Sequence, residues 1–172
     1  MSPDEGAMVR SGMYANMLGL DLGTFYKERD HSRIVDGGNP IVEHKFLAGD
    51  VAGKDVIVPD DVLASGSSLL GVSKQLKERG AKRVILFATF GQFTEGLGAY
   101  DEAYAKGTID KVFATNLIYR NPGLASREWF VEVDMSKYIA MIISSINSDM
   151  SIHSLLNPAL KITEMLEDKG MK

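Results

Sequence analysis

The chain has no cysteine, one tryptophan, three histidines and five prolines. Without cysteine there is no disulfide, no thiol nucleophile and no Cys-ligated zinc. His31, His44 and His153 lack an i, i+4 partner or a carboxylate at metal-ligand spacing, which assigns them to surface or packing roles. No apolar run approaches the ~20 residues that span a bilayer, and no leader pattern opens the chain. A cytoplasmic protein with no membrane partner is expected. Lys and Arg number 19 against 23 Asp and Glu, a formal charge of −4, and no basic stripe is evident. Nucleic acid, which demands clustered cations, is therefore not an expected partner. A P-loop is missing too. Residues 49–55, Gly-Asp-Val-Ala-Gly-Lys-Asp, have one residue too few between the glycines, no hydroxyl after the lysine, and a strand rather than a helix behind them.

What is present is an alternation of short apolar runs with amphipathic stretches, long enough at 172 residues to bury one core. The pattern predicts strands at 22–26, 42–47, 55–59, 83–89, 111–115 and 129–133. Helices are predicted after residue 6, from Leu69 to a stop at Lys77-Glu78-Arg79-Gly80, at 100–105, and from an Asp134 cap through Ile146. Asn157-Pro158 is a good N-cap and first-turn pair for a final helix carrying Leu160, Met165 and Leu166. Residues 31–40 are polar, rich in glycine and expected to be mobile. The Met-rich first helix (Met8, Met13, Met17) is expected to pack in the core or at an interface. Trp129 is expected at a sheet surface or subunit contact. Strand and helix in turn imply an α/β fold with a mostly parallel, doubly wound sheet flanked by helices.

The most informative stretch runs from Val56 to Ser68. An apolar strand ends in Asp60-Asp61, a loop of small residues follows (Ala64, Ser65, Gly66, Ser67, Ser68), and then a helix begins. Paired aspartates at a strand end can hold a hydrated divalent cation or ribose hydroxyls. Backbone N–H groups at a helix start face an anion, and the helix dipole favours negative charge there. A lone Ser-Gly-Ser-Ser is often a plain connection. The carboxylates beside it, at the edge where open α/β sheets take ligands, favour a site. A ligand bearing both a diol and a phosphate, such as a phosphorylated ribose, would span the two halves. Lys27 and Arg29 lie two apart in an extended segment, so both can face one ligand. On charge alone, the run from Lys27 to Asp30 reads rather as a solvated, self-compensated surface.

Ser2-Pro3-Asp4-Glu5-Gly6 with Arg10, then Tyr26-Lys27-Glu28-Arg29, then Asp60-Asp61 with Ser65-Gly66-Ser67-Ser68, then Asp134-Met135-Ser136 form an ordered set. In that order and spacing the chain resembles the C-terminal half of the ribose-phosphate pyrophosphokinase family, from its first residue to about Leu156. The resemblance implies a type I phosphoribosyltransferase-like domain over residues 1–156, with residues 157–172 a helical extension. It implies transfer of the ATP diphosphoryl group, with magnesium, to the anomeric hydroxyl of ribose 5-phosphate. By the same resemblance Asp4, Asp60 and Asp61 hold magnesium, and Asp60, Asp61, Ala64, Ser65, Gly66, Ser67, Ser68 and Arg10 bind substrate. Lys27 and Arg29 match the catalytic loop, and a homo-oligomer, dimer or larger, is implied. The departures are Ala64, where most members carry an aspartate, and Phe90-Gly91, where many have His-Pro. The opening turn, with no strand before it, leads to the expectation that the chain is one half of a larger architecture that binds ribose 5-phosphate better than it turns over. Two other readings remain: a phosphoribosyltransferase that consumes phosphoribosyl pyrophosphate, and a non-catalytic regulatory or assembly subunit.

Overall fold

The computed structural model describes residues 1–29 and 41–170, the side chains of 27–29 and 41–45 excepted. The segment expected to be mobile, residues 31–40, lies outside the described residues.

The chain opens with helix α1 (Met8–Leu18) and two strands, β1 (Thr24–Arg29) and β2 (Ile41–Leu47), paired antiparallel. Four parallel strands follow, β3 (Asp55–Leu63), β4 (Arg83–Gly91), β5 (Lys111–Thr115) and β6 (Phe130–Val133), lying side by side in chain order. Their near-continuous apolar runs suit a sheet covered on both faces. Because each strand is added next to the last, right-handed crossovers put the connecting helices on one face. Those helices are α2 (Ser67–Glu78) and α3 (Gly98–Ala105). On that face Val58, Val84, Leu86 and Val112 are wholly buried in one cluster with Leu69, Val72, Leu76 and Tyr100. Burial of each such side chain contributes about 1.5–3 kcal/mol. On the opposite face α1 lays Tyr14 and Leu18 beside Ile57, Pro59, Phe87 and Phe113, leaving a groove of about 330 Å³. Phe87 and Phe113 stack there at 4.6 Å. The α/β class, with a parallel sheet flanked by helices, is as the alternating pattern predicts.

Several local expectations are revised. Strands β3 and β4 run four and two residues further than their apolar runs, because ladder pairing with a neighbour carries them through polar positions. Trp129 is a core residue, 1 % exposed, with its Nε1 donating to Asp101 at 2.7 Å. Partnering its one polar atom is what allows tryptophan full burial. Met8 and Met13 are exposed, so of the two places expected for them, core or interface, the core does not hold. Helix α4 (Ser136–Asn147) starts from Met135, with Asp134 one position earlier accepting from the Ser136 amide. A short helix α5 (His153–Leu156) precedes α6 (Ala159–Asp168), whose cap is Pro158 rather than Asn157.

Candidate functional site

Asp60 and Asp61 stand near the carboxyl end of β3, and helix α1 brings Arg10 to them. Arg10 Nη2 lies 3.2 Å from Asp60 Oδ1, and Nη1 lies 3.4 Å from Asp61 Oδ2. The guanidinium therefore straddles both carboxylates, a geometry that suits its planar fork. Backbone amides also donate to the carboxylates. The Asp61 N–H donates to Asp60 Oδ1, and the Val62 N–H to Asp61 Oδ1, each at 2.9 Å. The two carboxyls are pushed apart in acidity. Burial, with the neighbouring carboxylate, raises the pKa of Asp60, whereas the hydrogen bond with Asp60 and the Arg10 charge lower that of Asp61. Two interacting acids at one corner titrate as a pair.

Four residues on, the chain turns into α2. Gly66 occupies the N-cap at φ +81° and brings no side chain of its own to the helix start, where the Ser67 amide donates to Ser65 Oγ at 3.4 Å. The hydroxyls of Ser65 and Ser67 approach to 3.2 Å. Ser67 and Ser68 are exposed, whereas Ala64 and Ser65 are half-buried. The loop is anchored from behind, where the Thr94 amide donates to the Ala64 carbonyl and the Gln92 and Phe93 amides to that of Leu63. A carboxylate pair and a glycine-capped helix start thus share one edge of the sheet.

Asp4 lies at the entrance to α1, where its Oδ1 accepts from the Ala7 amide at 3.1 Å. Among the described residues no three His, Cys, Asp or Glu side chains gather as a metal cage. Magnesium does not need one, since it commonly takes one or two carboxylates and completes its octahedron with water and phosphate oxygens. Asp60 and Asp61 fit that donor set. Lys27 and Arg29 both fall on β1, and the pairing register shifts between Glu28 and Arg29. That break interrupts the regular ladder on which strict two-residue alternation depends. One residue beside the loop escapes motif reasoning altogether. Tyr100, at the start of α3, sits against Gly66, and nothing in its local sequence signals the contact.

The model of the phosphoribosyl synthetase-associated domain matches residues 33–157 of this chain. The chain belongs to that family. Several curated relatives of this phosphoribosyl synthetase family member share one description. The ribose-phosphate pyrophosphokinase of Vibrio parahaemolyticus is 30% identical over 158 residues, 91% of this chain and 47% of the relative. That of Haemophilus influenzae is 32% identical over the same shares. That of Neisseria meningitidis is 27% identical over 96% of this chain and 48% of its own length. The chain thus spans about half the length of the curated relatives it matches. The crystal structure of phosphoribosylpyrophosphate synthetase from Mycobacterium smegmatis superposes with a TM-score of 0.65 at 24% identity, covering 86% of this chain and 44% of that one. That likeness is one of fold. No described helix is long and apolar enough to cross a membrane.

Proposed function

We propose that this chain carries the ribose 5-phosphate site of a ribose-phosphate pyrophosphokinase, the enzyme that moves the diphosphoryl group of ATP onto the anomeric hydroxyl of ribose 5-phosphate. The observation that carries the reading is the shared sheet edge, where the Asp60–Asp61 pair bridged by Arg10 is followed by the small-residue, glycine-capped start of α2, in a member of this family. The anion end is residues 64–68, whose amides and hydroxyls would take the 5-phosphate. The carboxylate end would take the ribose hydroxyls and magnesium, with Asp4 as a further oxygen donor through solvent. Magnesium, when bound, supplies positive charge against the phosphoryl oxygens. Phosphoryl transfer of this kind depends on charge and alignment more than on a strong base. Lys27 and Arg29 are assigned to the transferring group, and Arg10 to holding the carboxylates in register and reaching phosphate when the sugar arrives. The ATP pocket is expected to draw on parts of the relatives outside the matched half, and a homo-oligomer is part of the same reading.

Calorimetric titration of the chain with ribose 5-phosphate, with and without magnesium, tests the proposal. Binding that magnesium tightens is the expected outcome, and heat-silent titrations in both conditions would remove the reading.

A further inference from the structure

Beneath the loop that opens α2 lies a hydroxyl that none of these roles uses. Tyr100 is wholly buried, and its ring is held by aromatic neighbours. Phe93 meets it edge-on at 4.9 Å and Trp129 stacks on it at 5.5 Å. Neither contact needs the oxygen. A phenylalanine would fill the slot without burying a polar atom, and an unpaired buried hydroxyl is unfavourable. Among the described residues, Tyr100 Oη has no hydrogen-bond partner. Its place is specific. A Cβ built on Gly66 would meet Tyr100 Oη at 2.3 Å, so the hydroxyl lies directly against the residue that turns the chain into the helix. Gly66 has φ +81°, and glycine passes between left- and right-handed backbone at little steric cost. Burial, reinforced by the Asp60 charge, raises the Tyr100 pKa, so the group stays protonated and remains a donor.

We propose that Tyr100 is a positioning residue for the anion loop, its hydroxyl donating to the Ser65 backbone carbonyl when phosphate is bound, since the Gly66 carbonyl already accepts from the Leu70 amide at 2.9 Å. In a planar trans peptide the C=O and N–H point in opposite directions. Drawing a carbonyl inward onto Tyr100 Oη therefore turns an amide outward to the anion. The hydroxyl gains its acceptor only in the loaded loop, which makes phosphate binding and loop geometry one event. The inference rests on the sugar-phosphate reading of residues 64–68, and it brings into that site an element, α3, that lies outside the loop's own sequence.

The test is Tyr100→Phe in the full chain, titrated calorimetrically with ribose 5-phosphate and with inorganic phosphate, and melted without ligand. The variant is expected to melt at or above the parent temperature, while its affinity for both probes falls about three- to tenfold, the worth of one neutral hydrogen bond. Unchanged affinity overturns the proposal whatever the melt shows. A lower melting temperature with unchanged affinity would mark the hydroxyl as structural only. If the parent binds neither probe, the sugar-phosphate reading itself fails and this inference falls with it.

Discussion

The Arg10 guanidinium is what lets the partly buried carboxylate of Asp60 sit beside the exposed one of Asp61. Breaking a partly buried pair leaves charge without compensation, so Arg10→Ala is expected to lower stability by about 1–2 kcal/mol, between the values for exposed and buried pairs. In an Asp60→Asn background the same change should matter less, and urea melts of the four proteins in this double-mutant cycle measure the coupling. A second residue-scale prediction concerns acid. Hydrogen bonds from Arg127 and Trp129 hold Asp101 below its ordinary carboxylate pKa. A lowered folded-state pKa gives stability that is complete above the unfolded value of about 3.9 and is lost as pH falls through the folded one. Asp101→Asn should therefore flatten the acid limb. Comparing denaturation midpoints at pH 6 and near pH 3 checks this, and an unaltered drop between them would refute it. Asp60 and Asp61 were legible as a pair from sequence. Their opposite shifts were not, because those depend on how deeply each carboxyl is buried and on an arginine fifty positions away.

Among the elements, the turn into α2 is the most constrained. Gly66→Ala would place a Cβ at a positive φ and within 2.3 Å of Tyr100 Oη. Left-handed backbone alone costs a non-glycine residue about 1–3 kcal/mol, and the ring below cannot yield in its aromatic cage. The variant is expected to lose at least that much stability and to bind ribose 5-phosphate poorly, as urea melts and titration would read. The hydrophobic run of β3 and the stop signals of α2 were visible in the chain. The true strand end at Leu63 was not, since β4 supplies the partners that prolong it. Trp129 shows the same limit. A strand-edge aromatic reads as surface, and only the approach of α3 with Asp101 makes it core.

For the molecule as a whole, stability resides in the sheet face under α2 and α3. Helices α4, α5 and α6 contain no buried residue. Removing residues 158–172 is therefore expected to change unfolding free energy less than Leu86→Ala, for which a cavity in a closed core costs about 2–5 kcal/mol. Chemical denaturation of the two variants side by side decides the matter, and a larger loss from the truncation would show that α6 braces α1. Sequence alone determined the order of the strands and of every helix but α5, the parallel sheet, the family, and the aspartate pair ahead of a small-residue loop. Each of these is written in local periodicity, turn chemistry or contiguous motif. Tertiary structure decided that Arg10 spans both aspartates, that Trp129 is internal, and that Tyr100 sits under Gly66. Those contacts join residues tens of positions apart, and no local pattern encodes which distant side chain packing will bring to a given loop.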